Sequence, residues 1–96
     1  MIARLEFKRL AEAEIAEAFA WYDQDGIGKG AAFLAELERV ERFIRLNPRL
    51  YPKVEGDIHR ANLRRFPYAL FYVVDGDTIS VLSCLHQHRD PLIGGP

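Results

Sequence analysis

The run Tyr68-Ala-Leu-Phe-Tyr-Val-Val-Asp-Gly-Asp-Thr-Ile-Ser-Val-Leu-Ser-Cys-Leu85 decides the fold. Two apolar stretches rich in aromatic and β-branched residues flank Asp75-Gly-Asp77, a signal for a tight reversal. The pattern predicts an antiparallel hairpin. Tyr68–Val74 is continuously apolar, as a central strand requires, and Thr78–Leu85 is its partner. Side chains alternate along a strand. Tyr68, Leu70, Tyr72 and Val74 therefore share one face, and Ala69, Phe71 and Val73 the other.

Working outward, Ile58–Arg65 reads as a third, more polar strand. Phe66-Pro67 breaks it, since proline donates no ladder hydrogen bond and belongs at a strand end or an edge. Residues 48–57 hold Pro48, Pro52 and Gly56 and read as a surface connection. Before them the apolar period lengthens to that of a helix. Phe33, Leu37, Val40 and Ile44 form the buried stripe of a helix from about Gly28 to Leu46. Glu38 with Arg42, and Glu41 with Arg45, are i,i+4 pairs on its wet side. Asn47-Pro48 stops it. Ala11, Ile15, Ala18, Phe19 and Tyr22 form the stripe of an earlier helix that starts near Leu10. It ends at Asp23-Gln-Asp-Gly26, with Gly26 available as a left-handed cap. The link between the helices is short, so they fold back as an antiparallel hairpin. Ala3, Leu5 and Phe7 alternate with Arg4 and Glu6, which predicts a short N-terminal strand. Past the hairpin, His86-Gln-His-Arg-Asp-Pro91 closes a single domain over 1–91, and 92–96 form a tail.

The predicted order is strand, helix, helix, strand, strand, strand. The fold class is α+β, with a helical hairpin packed on a small, mostly antiparallel sheet. The 96-residue length fits one domain. Lys and Arg total 13 against 14 Asp and Glu, a balance that disfavours a nonspecific nucleic-acid coat. One cysteine, Cys84, excludes an internal disulfide framework. No apolar run approaches the roughly 18 residues of a membrane span, so no membrane partner is expected. The N-terminus carries no apolar signal core, and the expected compartment is the cytoplasm. Charge is unevenly spread. Residues 1–48 carry 7 basic and 9 acidic groups, and residues 49–96 carry 6 and 5. Ten of the 13 basic residues are arginines, whose fork suits carboxylate or phosphate.

Candidate chemistry lies in the C-terminal half, at His59, Arg60, Arg64, Arg65, Tyr72, His86, His88 and Arg89. Polar groups at strand ends can converge as those along a buried face cannot. His86 and His88 lack the companion ligands of a metal site, so neither metal nor cofactor is expected. A His/Arg cluster could cleave RNA, with arginine stabilising the charged transition state and histidine moving a proton. Arg64 and Arg65 are adjacent on a strand and point to opposite faces. Gly26-Ile-Gly-Lys-Gly30 lacks the spacing of a phosphate loop. Cys84 and His86 share a face, but without a third group a buried, inert thiol is expected. Trp21-Tyr22 reads as core.

The ordered set resembles the RelE/ParE superfamily of bacterial type II toxin–antitoxin toxins. It consists of Glu14-Ile-Ala-Glu-Ala-Phe-Ala-Trp-Tyr22, Gly28, Phe33-Leu-Ala-Glu-Leu37, Asn47-Pro48, Tyr51-Pro52, Arg65-Phe-Pro-Tyr-Ala-Leu-Phe-Tyr72, Val81-Leu-Ser-Cys-Leu-His86 and Arg89-Asp-Pro91. The resemblance covers about Leu5 to Pro91. It implies a toxin neutralised by a cognate antitoxin whose disordered segment folds on it. An acidic antitoxin would meet the Arg-bearing half, with Arg60, Arg64, Arg65, Tyr72, His86 and Arg89 as candidate contacts. RelE-like members cut messenger RNA on the ribosome; ParE-like members inhibit DNA gyrase. The nucleases carry an Arg just after the first Tyr of the central strand, and often a Tyr near the C-terminus. Here the first position is Ala69, and no Tyr follows His86. Leu85-His86-Gln87 is similar to the ParE-like ending, so the resemblance implies a gyrase inhibitor and not an enzyme. The alternatives are an mRNA endonuclease, with His86, His88, Arg89 and Arg65 as catalytic candidates, and a non-toxic binding module on the same fold.

Overall fold

The computed structural model describes residues 4–87. The order is β1 (Arg4–Phe7), α1 (Arg9–Asp25), α2 (Lys29–Leu46), β2 (Lys53–Glu55), β3 (Ile58–Asn62), β4 (Tyr68–Asp75) and β5 (Thr78–His86). The five strands form one sheet in the order β1-β5-β4-β3-β2. All pairings are antiparallel except β1 with β5, which is parallel. The α+β architecture, the helical hairpin and the β4–β5 hairpin match the sequence expectation.

The predicted stripes build the core. Phe33, Leu37, Val40 and Ile44 of α2 are all buried, with Ala11 and Ala18 of α1. They meet Leu70, Tyr72, Ile79, Val81 and Cys84 on one face of the sheet, and Leu5 and Phe7 pack against that cluster from β1. Ala69 and Phe71, on the opposite face, are buried outside the cluster.

The connection between the helices is only Gly26–Gly28. The left-handed residue is Gly28 (φ 82), not Gly26, whose backbone is extended. Gly30 of α2 sits against Phe19 and Asp23 of α1. A Cβ there would lie 2.7 Å from Cε1 of Phe19, closer than real contacts allow. Of the two expected pairs on α2, Glu41–Arg45 closes at 3.0 Å. Glu36–Arg39, spaced i,i+3, closes at 2.8 Å.

Three local features depart from the sequence reading. Residues 53–55, read as loop, form β2, a three-residue edge strand exposed throughout and so without an alternating signal. The third strand ends at Asn62 and not Arg65. Arg65 takes φ 67, a conformation that a ladder cannot continue through. Finally, β5 bulges. Phe71 pairs with Ser83 but Tyr72 with Val81, leaving Leu82 as the extra residue. The bulge lets Val81 and Cys84, three apart, both face the core.

Candidate functional site

Four rings knit α1, α2 and the β3–β4 loop together. Phe33 lies 5.2 Å from Tyr22, 5.5 Å from Phe66 and 5.6 Å from Tyr68, centroid to centroid. Tyr22 meets Phe66 edge-on at 5.0 Å. His86 extends the cluster, edge-on to Tyr68 at 5.4 Å. Phe66 thereby anchors the loop that carries Arg64 and Arg65. A second tie is Glu36, which accepts from the Arg39 guanidinium and from the backbone N–H of Arg64. The bond from Arg39 is the main force holding the Glu36 carboxyl below its ordinary value, and the Arg64 N–H adds to it. A lowered folded value stabilises the protein above the unfolded value and loses that contribution as pH falls through the folded one. Glu36→Gln should therefore be less stable than the parent at pH 7, and the difference should vanish in acid below the folded value. Urea unfolding across pH checks this.

The sequence candidates divide three ways. His86 and the Arg64–Arg65 loop share one end of the sheet, where Tyr68 pairs with His86 and the Gln87 N–H donates to the Pro67 carbonyl at 2.7 Å. Both arginines lie in the loop and are exposed, so the alternation expected of strand neighbours does not apply to them. Arg60 lies on the sheet face away from the helices, its guanidinium 5.8 Å over Phe71 and its Nε bonded to Asn62. His59 and Tyr72 are interior. Tyr72 is fully buried and its hydroxyl donates to the Pro48 carbonyl at 2.7 Å. His59 stacks on it at 4.9 Å and binds the Tyr51 carbonyl through Nδ1 at 2.7 Å. Together they pin the 48–52 segment to the sheet. Tyr72, one of the candidate partner contacts, thus lies in the core on the Leu70 face. His88 and Arg89 lie outside the described residues.

Cys84 is buried, and that burial pushes its thiol up to about 12, with the Glu14 charge adding to the shift. Such a thiol is not a nucleophile near neutral pH. Its alkylation by iodoacetamide at pH 8 should proceed only as fast as the protein opens. Prompt labelling of the native state would contradict the burial. Glu14 itself reaches into the β5 bulge, accepting from Ser83 Oγ at 2.7 Å and from the Cys84 N–H at 2.9 Å.

The sequence reading missed an apolar groove. It runs between α1 and α2 beside β1, with a volume of about 470 Å³. Phe7, Ile15, Ala16, Phe19, Leu34 and Leu37 line it, and Glu12, Glu38 and Glu41 rim it. The legible signal was Leu34, an apolar residue off the buried stripe of α2. Among the described residues no group of His, Cys, Asp or Glu could hold a metal ion. No described helix is long and apolar enough to cross a membrane.

A family model for the ParE toxin of the type II toxin–antitoxin system parDE matches residues 5–91. The chain belongs to the ParE toxin family. The fold agrees. The chromosomal ParDE system of P. aeruginosa superposes with a TM-score of 0.64 at 15% identity, over 88% of this chain and 96% of that one. The RelBE2 toxin–antitoxin complex of Mycobacterium tuberculosis gives 0.63 at 16% identity, over 90% and 99%. No curated protein matches the chain. On this ParE-family sheet, Tyr68 and His86 line a cleft together with Glu17 and Trp21 of α1. Trp21, expected in the core with Tyr22, is 66% exposed.

Proposed function

We propose that this ParE-family toxin inhibits DNA gyrase and is neutralised by an antitoxin segment seated in the α1–α2 groove. The observation that carries the choice of target is Ala69. It stands where the nucleases of the superfamily carry an arginine, and it is fully buried. A phosphodiester-cleaving site needs fixed positive charge where the transition state gains negative charge, and an alanine supplies none. Of the other candidate arginines among the described residues, Arg60 lies on the face away from the helices and Arg64 and Arg65 lie in the β3–β4 loop. A small, near-neutral chain with an apolar groove suits a protein partner better than a polyanion.

The groove also changes the chemistry expected of the antitoxin. Its walls are apolar and its rim is acidic. It fits an amphipathic segment with lysine or arginine beside the apolar anchors, not the acidic segment inferred from net charge by halves. Expression without the antitoxin should stop growth while primer extension on translated messages shows no new ends. New cuts at codons, lost in His86→Ala, would overturn the gyrase reading in favour of an endonuclease. Unaffected growth would leave a non-toxic binding module.

A further inference from the structure

The solvent side of α2 carries four exposed residues spaced four apart: Leu34, Glu38, Arg42 and Leu46. Residues at this spacing form one ridge of a helix, the kind that interlocks when two helices pack. The buried stripe of α2 faces the core, and the groove takes Leu34 and Glu38 but neither Arg42 nor Leu46. Leu46 is 76% exposed. Ala31 and Ala35, also exposed, lie beside the ridge and leave room for a close approach. The charges at its centre are open as well. Glu36–Arg39 and Glu41–Arg45 close within α2, but the expected pair of Glu38 with Arg42 does not. Neither side chain has another ion pair among the described residues. Glu38, Glu41, Arg42 and Arg45 line one recess of about 400 Å³.

We infer that a second copy of this chain docks on the ridge, α2 antiparallel to α2 about a two-fold axis. The row of Leu34, Glu38, Arg42 and Leu46 is complementary to its own reversal. Centred between Glu38 and Arg42, the two-fold sets Glu38 against the partner's Arg42 and Leu34 against the partner's Leu46, and each contact occurs twice. Sliding one helix by a turn either way sets Glu38 against the partner's Glu38, or Arg42 against the partner's Arg42. A parallel pair in register brings both of these like-charge contacts together. Charge thus fixes direction and register, while the exposed leucines gain the cover they lack. The interface is one helix wide, smaller than that of a permanent dimer, so the association is weak. Leu34 and Glu38 belong to both ridge and groove, so the partner copy and a segment seated in the groove exclude each other.

Sedimentation equilibrium of the whole chain without antitoxin should show monomer at low micromolar concentration and dimer at several hundred micromolar, with a Kd of about 10–100 µM. Glu38→Arg and Arg42→Glu should each weaken the dimer about tenfold or more, because each sets like charges opposite across the axis. Both positions are exposed, so neither change disturbs the fold, which circular dichroism checks. An equimolar mixture of the two variants should associate again, since every facing pair is then of opposite sign. The double variant Glu38→Arg/Arg42→Glu should likewise recover the parent's affinity. A parent chain that stays monomeric at several hundred micromolar would overturn the inference and leave the ridge to a different protein. So would a dimer indifferent to both single variants, or single variants that do not rescue each other. None of these outcomes depends on where the antitoxin binds or on whether gyrase is the target.

Discussion

Phe33→Ala should lower stability by about 3–5 kcal/mol, the usual cost of emptying a buried phenylalanine site. Phe33 is fully buried, and its ring touches Tyr22, Phe66 and Tyr68, which belong to three different elements. Closing the space would require α1, the β3–β4 loop and β4 to move together, so the site does not collapse cheaply. A domain of this size has a total stability of about 5–15 kcal/mol, so the variant should sit close to its unfolding threshold. The loss should also free Phe66 and with it the loop bearing Arg64 and Arg65. Urea unfolding of the parent and variant measures the first effect. Phe43→Ala on the same helix is the control, since Phe43 is 43% exposed and should cost far less. A loss below about 1 kcal/mol at Phe33 would mean that the four-ring cluster does not hold the hairpin to the sheet.

Leu34→Asp should weaken binding of the cognate antitoxin by about 100-fold or more while leaving the fold intact. Leu34 is 38% exposed and lines the groove without belonging to the buried stripe, so the free protein tolerates the change. In the complex the carboxylate would be enclosed by Phe7, Ile15, Phe19 and Leu37 with no partner, which costs about 3 kcal/mol or more. Calorimetry with the antitoxin gives the affinity, and circular dichroism checks the fold. An unchanged affinity would move the antitoxin off the groove. If it moved to the arginine-bearing face, Arg60→Glu would instead be the damaging change.

Much of the fold was legible because its periods are clean. The 33/37/40/44 stripe of α2 and the unbroken apolar run of Tyr68 to Val74 are each plain in the sequence, and the stripe and the centre of the run, Ala69 to Tyr72, are buried. What escaped was set by distance or by weak patterning. The parallel pairing of β1 with β5 joins Leu5 to Ile79, and no local signal encodes a partner so far along the chain. The hold of Glu14 on the Cys84 N–H spans a similar gap. The three exposed residues of β2 carry no alternation. Arg65 lies beyond the end of β3 because Phe66, anchored in the ring cluster, pulls the chain into a left-handed turn before Pro67. The candidate site was less legible. Net charge by halves pointed to an arginine-bearing docking face, whereas the groove lies on the acidic helical half and is read from apolar residues that fall off the stripes.

The proposed protein target, in preference to a polyanion, rests on Ala69 and on the small near-neutral chain. Supercoiling of relaxed plasmid by purified gyrase, with the isolated toxin added, tests that choice most directly. The account predicts that supercoiling falls at micromolar toxin and recovers when the antitoxin is added in excess. Full supercoiling at that concentration, from toxin that still arrests growth, would contradict it.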